Sequence, residues 1–287
     1  MTKPKLSFWQ IWNLSFGFLG VQIGYSLQNS NTSSIFESLG ADVSHLSYFW
    51  LAAPLAGMIV QPIVGLFSDG TWTRWGRRIP YILGGSLISA LALVLMPNCP
   101  KLLAFAPLAM GAFILLFMDL SFNVTMQPFR ALVADMLDDS QKTQGYVVQT
   151  FLINLGAVVG AILPLVMTWL GVSDEAAPGH VSPHIAYSYY AGGAILLLTV
   201  LVTSFKTREY PPGEFARYNN LSEEDAKPMS FVGLMRNVPG VMVRLGVTQF
   251  FSWAALFLMW TYLKPAVTGV VTDHATGEVL SAGATQT

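Results

Sequence analysis

The sequence predicts an all-α polytopic membrane protein. Three observations predict it: too few charges to cover a soluble globule, seven apolar stretches of spanning length, and positive charge gathered on alternate connecting segments. Of 287 residues, 53% are hydrophobic and 11% charged, about half the charged share of an ordinary soluble chain. A span needs about 20 mainly apolar residues. On that rule helices fall at Leu14–Asn31, Leu46–Phe67, Ile79–Met96, Leu103–Val124, Tyr146–Leu170, Tyr187–Phe205 and Val241–Leu263, the fourth and fifth running on beyond the bilayer. With the amino terminus in the cytoplasm, 13 of the 15 Lys and Arg lie in inner segments and only Lys101 and Lys264 outside. Cytoplasmic loops carry such an excess, and one missed helix would invert every later loop.

The amino terminus has Lys3 and Lys5 before an apolar run, as a secretory leader would. That run is too long for a leader core and contains Gln22, Gln28 and Asn29, so it reads as a first span with a polar face. The single Cys99 excludes a disulfide framework, and His45, His180, His184 and His274 show no ligand spacing. Gly20 with Gly24, and Gly156 with Gly160, are spaced four apart, the pattern of close helix packing.

The chain divides into a six-helix bundle (1–205), a cytoplasmic linker (206–240), a seventh helix (241–263) and a polar extracytoplasmic tail (264–287). The linker carries Pro211, Pro212, Pro228 and the acidic run Glu223 to Asp225. Six helices, a charged loop and then another helix is how a transporter of two bundles is divided.

In the fourth helix, Asp119, Asn123 and Gln127 stand at i, i+4 and i+8 on one face. A carboxylate within a span is costly and marks a functional site by default. Asp119 is therefore the candidate for proton or cation coupling, against the plainer reading of a structural carboxyl bonded to a neighbouring helix. Counted from Lys101 it would lie roughly 27 Å along the helix, in the inner half of the membrane. Asn123 and Gln127 offer the donors and acceptors that sugar hydroxyls need. In the first helix Gln22, Ser26 and Asn29 form another polar face, with Tyr25, Gln28 and Thr32 beside it. It suits either a hydrated cavity or interhelical hydrogen bonding. Arg130 is a substrate or gate candidate, or an ordinary interfacial arginine. It stands five residues from Asp135, so each is expected to pair elsewhere.

Between the second and third helices, Asp69 precedes Arg74, Gly76, Arg77 and Arg78. Charges at helix ends can form interdomain salt bridges that latch one conformation, and an ordinary positive-inside loop would look similar.

The ordered residues go further. Gly65-x-x-x-Asp69 followed by Arg74-x-Gly76-Arg77-Arg78 resembles the major facilitator signature between its second and third helices, with four residues inserted. With Gln61-Pro62-x-x-Gly65-x-x-Ser68-Asp69, it resembles the sucrose/proton symporters of the glycoside-pentoside-hexuronide cation symporter group. Ile79 stands where that group usually carries a third Arg. Asp119-x-x-x-Asn123-x-x-x-Gln127-Pro128-x-Arg130-Ala131-Leu132-x-Ala134-Asp135 resembles the group's fourth helix, where the Asp is linked with proton coupling and the Arg with substrate. Phe251-Ser252-Trp253 to Met259-Trp260-x-Tyr262 is similar to its seventh helix.

The resemblance implies a major facilitator fold of twelve helices, of which this chain supplies the amino-terminal bundle and the seventh, as if truncated. It implies proton-coupled symport of a disaccharide or α-glucoside, sucrose or maltose, across the plasma membrane by alternating access. H+ is the coupling ion and no other cofactor or metal is expected. The expected partners are a small sugar and the lipid bilayer, not nucleic acid. Proton coupling would fall to Asp119, and substrate binding to Asn123, Gln127, Arg130, Gln22 and Asn29. The inner gate would comprise Asp69, Arg74, Gly76, Arg77, Arg78 and Asp135. Sodium coupling and a non-transporting sensor or fragment are the alternatives. An enzyme is not expected, since no span or loop places a nucleophile beside a base.

Overall fold

A computed structural model describes residues 3–40, 46–103, 105–177, 179–219, 233 and 238–270. Among them the regular elements are helical: α1 (Phe8–Ser38), α2 (Leu46–Gly70), α3 (Ile79–Leu95), α4 (Pro107–Met136), α5 (Asp139–Trp169), α6 (Pro183–Lys206) and α7 (Gly240–Val270). A 3-10 turn, Met96–Asn98, and a short helix, Cys99–Leu102, prolong α3, and a further short helix covers Pro212–Tyr218. Among the described residues, four rods are long and apolar enough to cross a membrane: Ile79–Leu102, Pro107–Met136, Asp139–Trp169 and Pro183–Lys206. At 31 residues α1 is about 45 Å long, ample for a span, but Gln22, Gln28, Asn29 and Asn31 interrupt its apolar surface.

The ends of the helices have local causes. Ser7 and Gln10 form a reciprocal capping box at the start of α1, Ser7 N–H donating to Gln10 Oε1 at 2.8 Å. Pro80 and Pro107 sit in the first turns of α3 and α4, where a missing N–H costs nothing. The fourth helix runs on past its apolar stretch at Val124, as expected, and continues through Pro128 to Met136. Neighbouring helices make an internal proline tolerable in such bundles. Because α4 begins at Pro107 rather than near Lys101, Asp119 stands about 18 Å along it, so the longer count overstates its distance from that end.

The chain forms two compact units, residues 1–228 and 229–287. In the first, α1 packs against α5, α6 and α4, α3 packs against α4 and α6, and α2 packs against α4. Phe18 of α1 stacks on Phe129 of α4 with ring centroids 5.3 Å apart, in the same buried core as Leu14, Val133 and Val200. In the second unit α7 runs seven residues past Leu263, through Pro265. The acidic run at 223–225 and the tail beyond Val270 lie outside the described residues, as do the side chains of Trp260 and Tyr262. The start of the expected linker is folded: residues 207–218 lie on the first unit, through contacts given below.

Gly156, Gly160 and Gly20 do what their spacing predicts, whereas Gly24 faces the side chains of Leu93, Phe122 and Leu196 and no neighbouring backbone. A Cβ on Gly156 would stand 2.5 Å from the Leu19 carbonyl oxygen, and one on Gly160 2.5 Å from that of Ile23. α5 thus lies with its backbone against that of α1. Gly20 meets α6 similarly, a Cβ there falling 2.8 Å from Leu196 Cα. Gly156→Leu should therefore force α1 and α5 apart and cost about 3 kcal/mol, at the upper end of overpacking losses. A thermal unfolding midpoint in detergent equal to wild type would show that the contact is not tight.

Candidate functional site

The polar face of α4 packs against α1 and α2, buried at Asp119 and half-buried at Asn123 and Gln127. Asp119 is 1% exposed, and its Oδ1 accepts a hydrogen bond from Gln28 Nε2 of α1. Asp119 Oδ2 and Gln28 Oε1 are both buried without a hydrogen-bond partner. One turn on, Asn123 Nδ2 donates to the Asp119 carbonyl at 2.8 Å, and Asn123 Oδ1 accepts from Gln61 Nε2 of α2 at 2.6 Å. Gln61 Oε1 in turn accepts from Gln127 Nε2 at 2.6 Å. Three amides thus form a directed chain from Gln127 through Gln61 to Asn123, ending on the backbone beside Asp119. Amide side chains can donate and accept at once, which lets such a row be re-formed around hydroxyl groups.

Arg130 continues this row, seven residues beyond Asn123 on the same face. It is exposed and makes no ion pair among the described residues. The other face of α1 is not brought to the row. Ser26 Oγ donates to the Ala157 carbonyl of α5 at 2.7 Å, and Gln22 Cβ packs at Gly156, so these residues sit at the α1–α5 contact. Asn29 is exposed. The helical turn instead sends Gln28 toward α4, with Thr32 behind it donating to the Gln28 carbonyl at 2.6 Å.

A second cluster occupies the α2–α3 hairpin. Thr73 and Gly76 exchange backbone hydrogen bonds of 3.0 Å each, and Gly76 has φ +114°, a conformation side chains other than hydrogen rarely adopt. The turn places Arg78, 5% exposed, among three partners. Its guanidinium reaches Asp69 at 2.5 Å, Asp135 Oδ2 at 2.9 Å and Ser68 Oγ at 2.5 Å. Arg77 meets the same Asp135 oxygen at 2.7 Å and lies 4.0 Å over the Phe215 ring. Asp135 thus does pair away from Arg130. The expected interdomain salt bridges are, among the described residues, bridges within the first unit: they tie the ends of α2, α3 and α4 to one another. Arg74 stands outside the cluster, exposed and 5.6 Å from the Trp75 ring centroid.

Glu209, just beyond α6, was not singled out by the motifs. Its carboxylate accepts from the backbone N–H groups of Arg77 at 3.0 Å, Arg78 at 2.8 Å and Ile79 at 2.9 Å. These are the unpaired donors at the start of α3, where a negative charge is also favoured. A Cβ on Gly76 would fall 2.5 Å from Glu209 Oε1, so that glycine is needed for space as well as for φ. Burial pushes the Glu209 carboxyl above the usual glutamate value, only partly offset by the three amides and Arg77. The native state then holds this proton more readily than the unfolded chain does. The group's contribution to stability is therefore fullest below the unfolded value and declines as pH rises through the raised native one. Unfolding midpoints from pH 4 to 7 should fall more steeply for wild type than for Glu209→Gln. Parallel curves would remove Glu209 as the titrating group.

Residues 35–271 match the family model described as MFS/sugar transport protein, MFS being the major facilitator superfamily. The chain belongs to this family. It is similar to sucrose transport protein SUT1 of Oryza sativa subsp. japonica, 27% identical over 267 residues, covering 83% of this chain and 49% of that protein. It is also similar to the general alpha-glucoside permease of Schizosaccharomyces pombe, 25% identical over 283 residues, covering 91% and 48%. Over a shorter stretch of 157 residues it is 31% identical to sucrose transport protein SUC3 of Arabidopsis thaliana, covering 49% and 26%. The chain spans about half the length of the first two relatives. As a major facilitator chain with apolar helices of spanning length, it is an integral membrane protein.

Within this family member, Gln28 and Gln61 join the α4 face only through the fold. Gln61 stood in the sequence as a motif residue and Gln28 as a neighbour of a polar face. A signal was there in both cases: each is a large amide inside an apolar helix, which needs a partner.

Proposed function

We propose that this chain works in proton-coupled symport of a disaccharide or α-glucoside, with sucrose and maltose as the leading substrates, by alternating access. The amino terminus would lie in the cytoplasm and the protein in the plasma membrane. The observation that carries the reading is the Asp119–Gln28 pair, buried at the head of a row of amides. Each partner has one oxygen without a hydrogen-bond partner. A single proton on the carboxyl supplies a donor where two acceptors are otherwise left unsatisfied, so proton binding and local structure are coupled.

Asn123, Gln61 and Gln127 are the groups for sugar hydroxyls, and Arg130 lies on the same row at its end. The cluster of Asp69, Arg77, Arg78 and Asp135 would set the hairpin's position as the transporter changes conformation. The relatives named for sucrose and alpha-glucosides support the substrate class.

The test is uptake of radiolabelled sucrose and maltose by cells expressing the gene in a strain lacking other carriers, with medium pH recorded. Sugar-dependent alkalinisation and loss of accumulation with a protonophore are expected. Accumulation that needs sodium and survives the protonophore would replace H+ by Na+, and no uptake of either sugar would overturn the transport reading.

A further inference from the structure

At the hairpin end of the bundle, two cavities of about 1050 Å³ and 560 Å³ flank Arg208 and share Thr207 and Arg208 in their walls. The smaller lies between the hairpin and the end of α6, and its lining includes Trp72, Arg74, Trp75, Phe205 and Arg208. The larger adds Lys5 and Lys206 to the positive field around Arg208. None of these four cations makes an ion pair among the described residues. The acid in the wall, Glu209, has its carboxylate occupied by the three α3 amides. The smaller cavity therefore presents two guanidinium groups that no carboxylate neutralises among the described residues, Arg74 resting near the Trp75 ring, and their planar fork suits a phosphate.

Its position is that of the membrane interface. Ile79 begins one spanning rod and Lys206 ends another, and both line or adjoin the cavity. Trp72 and Trp75 are about half exposed, as tryptophans of an interfacial belt are. Two apolar rows lead away from it along the packed pair α3 and α6. On α3, Leu83 in the cavity wall is followed at four-residue steps by Leu87 and Leu91, both well exposed. On α6, Phe205 is preceded on the same face by Leu201 and Leu198, also exposed.

A phosphate site that opens onto two apolar rows fits an amphiphile rather than a free ion. We propose that this cavity binds the headgroup of an anionic glycerophospholipid between Arg74 and Arg208, with its acyl chains lying along the α3 and α6 rows. Basic pockets between membrane helices recognise lipid headgroups in this way.

The proposal is tested on the purified full chain in detergent, titrated with phosphatidylglycerol or phosphatidylcholine, with bound lipid counted by native mass spectrometry. Wild type should retain phosphatidylglycerol about tenfold better. Arg74→Gln/Arg208→Gln should bring the ratio near one. Lys101→Gln, at the far end of the α3 rod, should leave it unchanged, and equimolar inorganic phosphate should displace nothing. An unchanged ratio in the double variant, an equal drop in Lys101→Gln, or displacement by phosphate would each overturn it. An arm independent of any variant uses wild type in vesicles. Phosphatidylglycerol brominated on its acyl chains should quench tryptophan fluorescence more than brominated phosphatidylcholine, and equal quenching would also overturn the assignment.

Discussion

Asp119→Asn is expected to leave the bundle folded and to abolish sugar-driven proton uptake. The substitution keeps a carbonyl oxygen for Gln28 Nε2 and adds an NH2 that can donate to the unpartnered Gln28 Oε1. It thus imitates the protonated acid, and its unfolding free energy should lie within about 1 kcal/mol of wild type. A permanently neutral group has no proton to release, so accumulation of sugar against a gradient should fall to equilibration. Exchange of labelled for unlabelled sugar across the membrane, which needs no net proton movement, should survive. Asp119→Leu, which can make neither hydrogen bond, should lose both exchange and stability. Medium alkalinisation that persists in Asp119→Asn would show that the coupling proton is carried elsewhere.

The largest stability effect should come from Arg78→Met. Met fills much of the volume but leaves Asp135 with Arg77 as its one remaining cation among the described residues and Ser68 Oγ with one fewer partner. The two contacts to carboxylates do not count equally. The side chain of Asp69 is 56% exposed, so that pair is screened and is worth about 1 kcal/mol or less. The side chain of Asp135 is 18% exposed against 6% for Arg78, and breaking such a largely buried pair costs about 3 kcal/mol. Arg77 still serves Asp135, which keeps the figure at the low end. Adding Asp135→Asn to Arg78→Met should recover part of the loss, because no largely buried carboxylate is then left with half its cationic partners. Arg78→Lys should rescue little, since a single ammonium cannot serve three partners held in a fork. A midpoint for Arg78→Met indistinguishable from wild type would mean that the pair contributes nothing to stability.

The fold class was legible because its causes are additive along the chain: apolar length, charge sidedness and glycine spacing each accumulate over many residues. The α4 row was legible for a similar reason, since Asp119, Asn123 and Gln127 share a face by helical period alone. What joins that row to its neighbours was not. Gln28 and Gln22 look alike in sequence, six residues apart in α1, yet one turns to α4 and the other to α5. The packing of Gly156 and Gly160 against the α1 backbone, with Gly17 and Gly20 against α4 and α6, sets that rotation. Similarly, Asp135 could be assigned a distant partner from its poor spacing to Arg130, but not which one. Glu209 carried no signal at all. Its role depends on donors that belong to the backbone of residues 77–79, and such donors have no residue type by which a sequence could advertise them.

The Glu209 contact also has a mechanical side. It closes a ring: from residue 77 the chain runs through α3, α4, α5 and α6 and comes back to where it started. Past that point it continues into the short Pro212–Tyr218 helix, pinned where Arg77 covers Phe215. A tug arriving along the polypeptide from residue 219 onward is therefore borne by a carboxylate and a ring gripping the hairpin, before it reaches the last turn of α6. The first unit is anchored like a cable clamped beside its socket, and the hairpin is the part that feels the load.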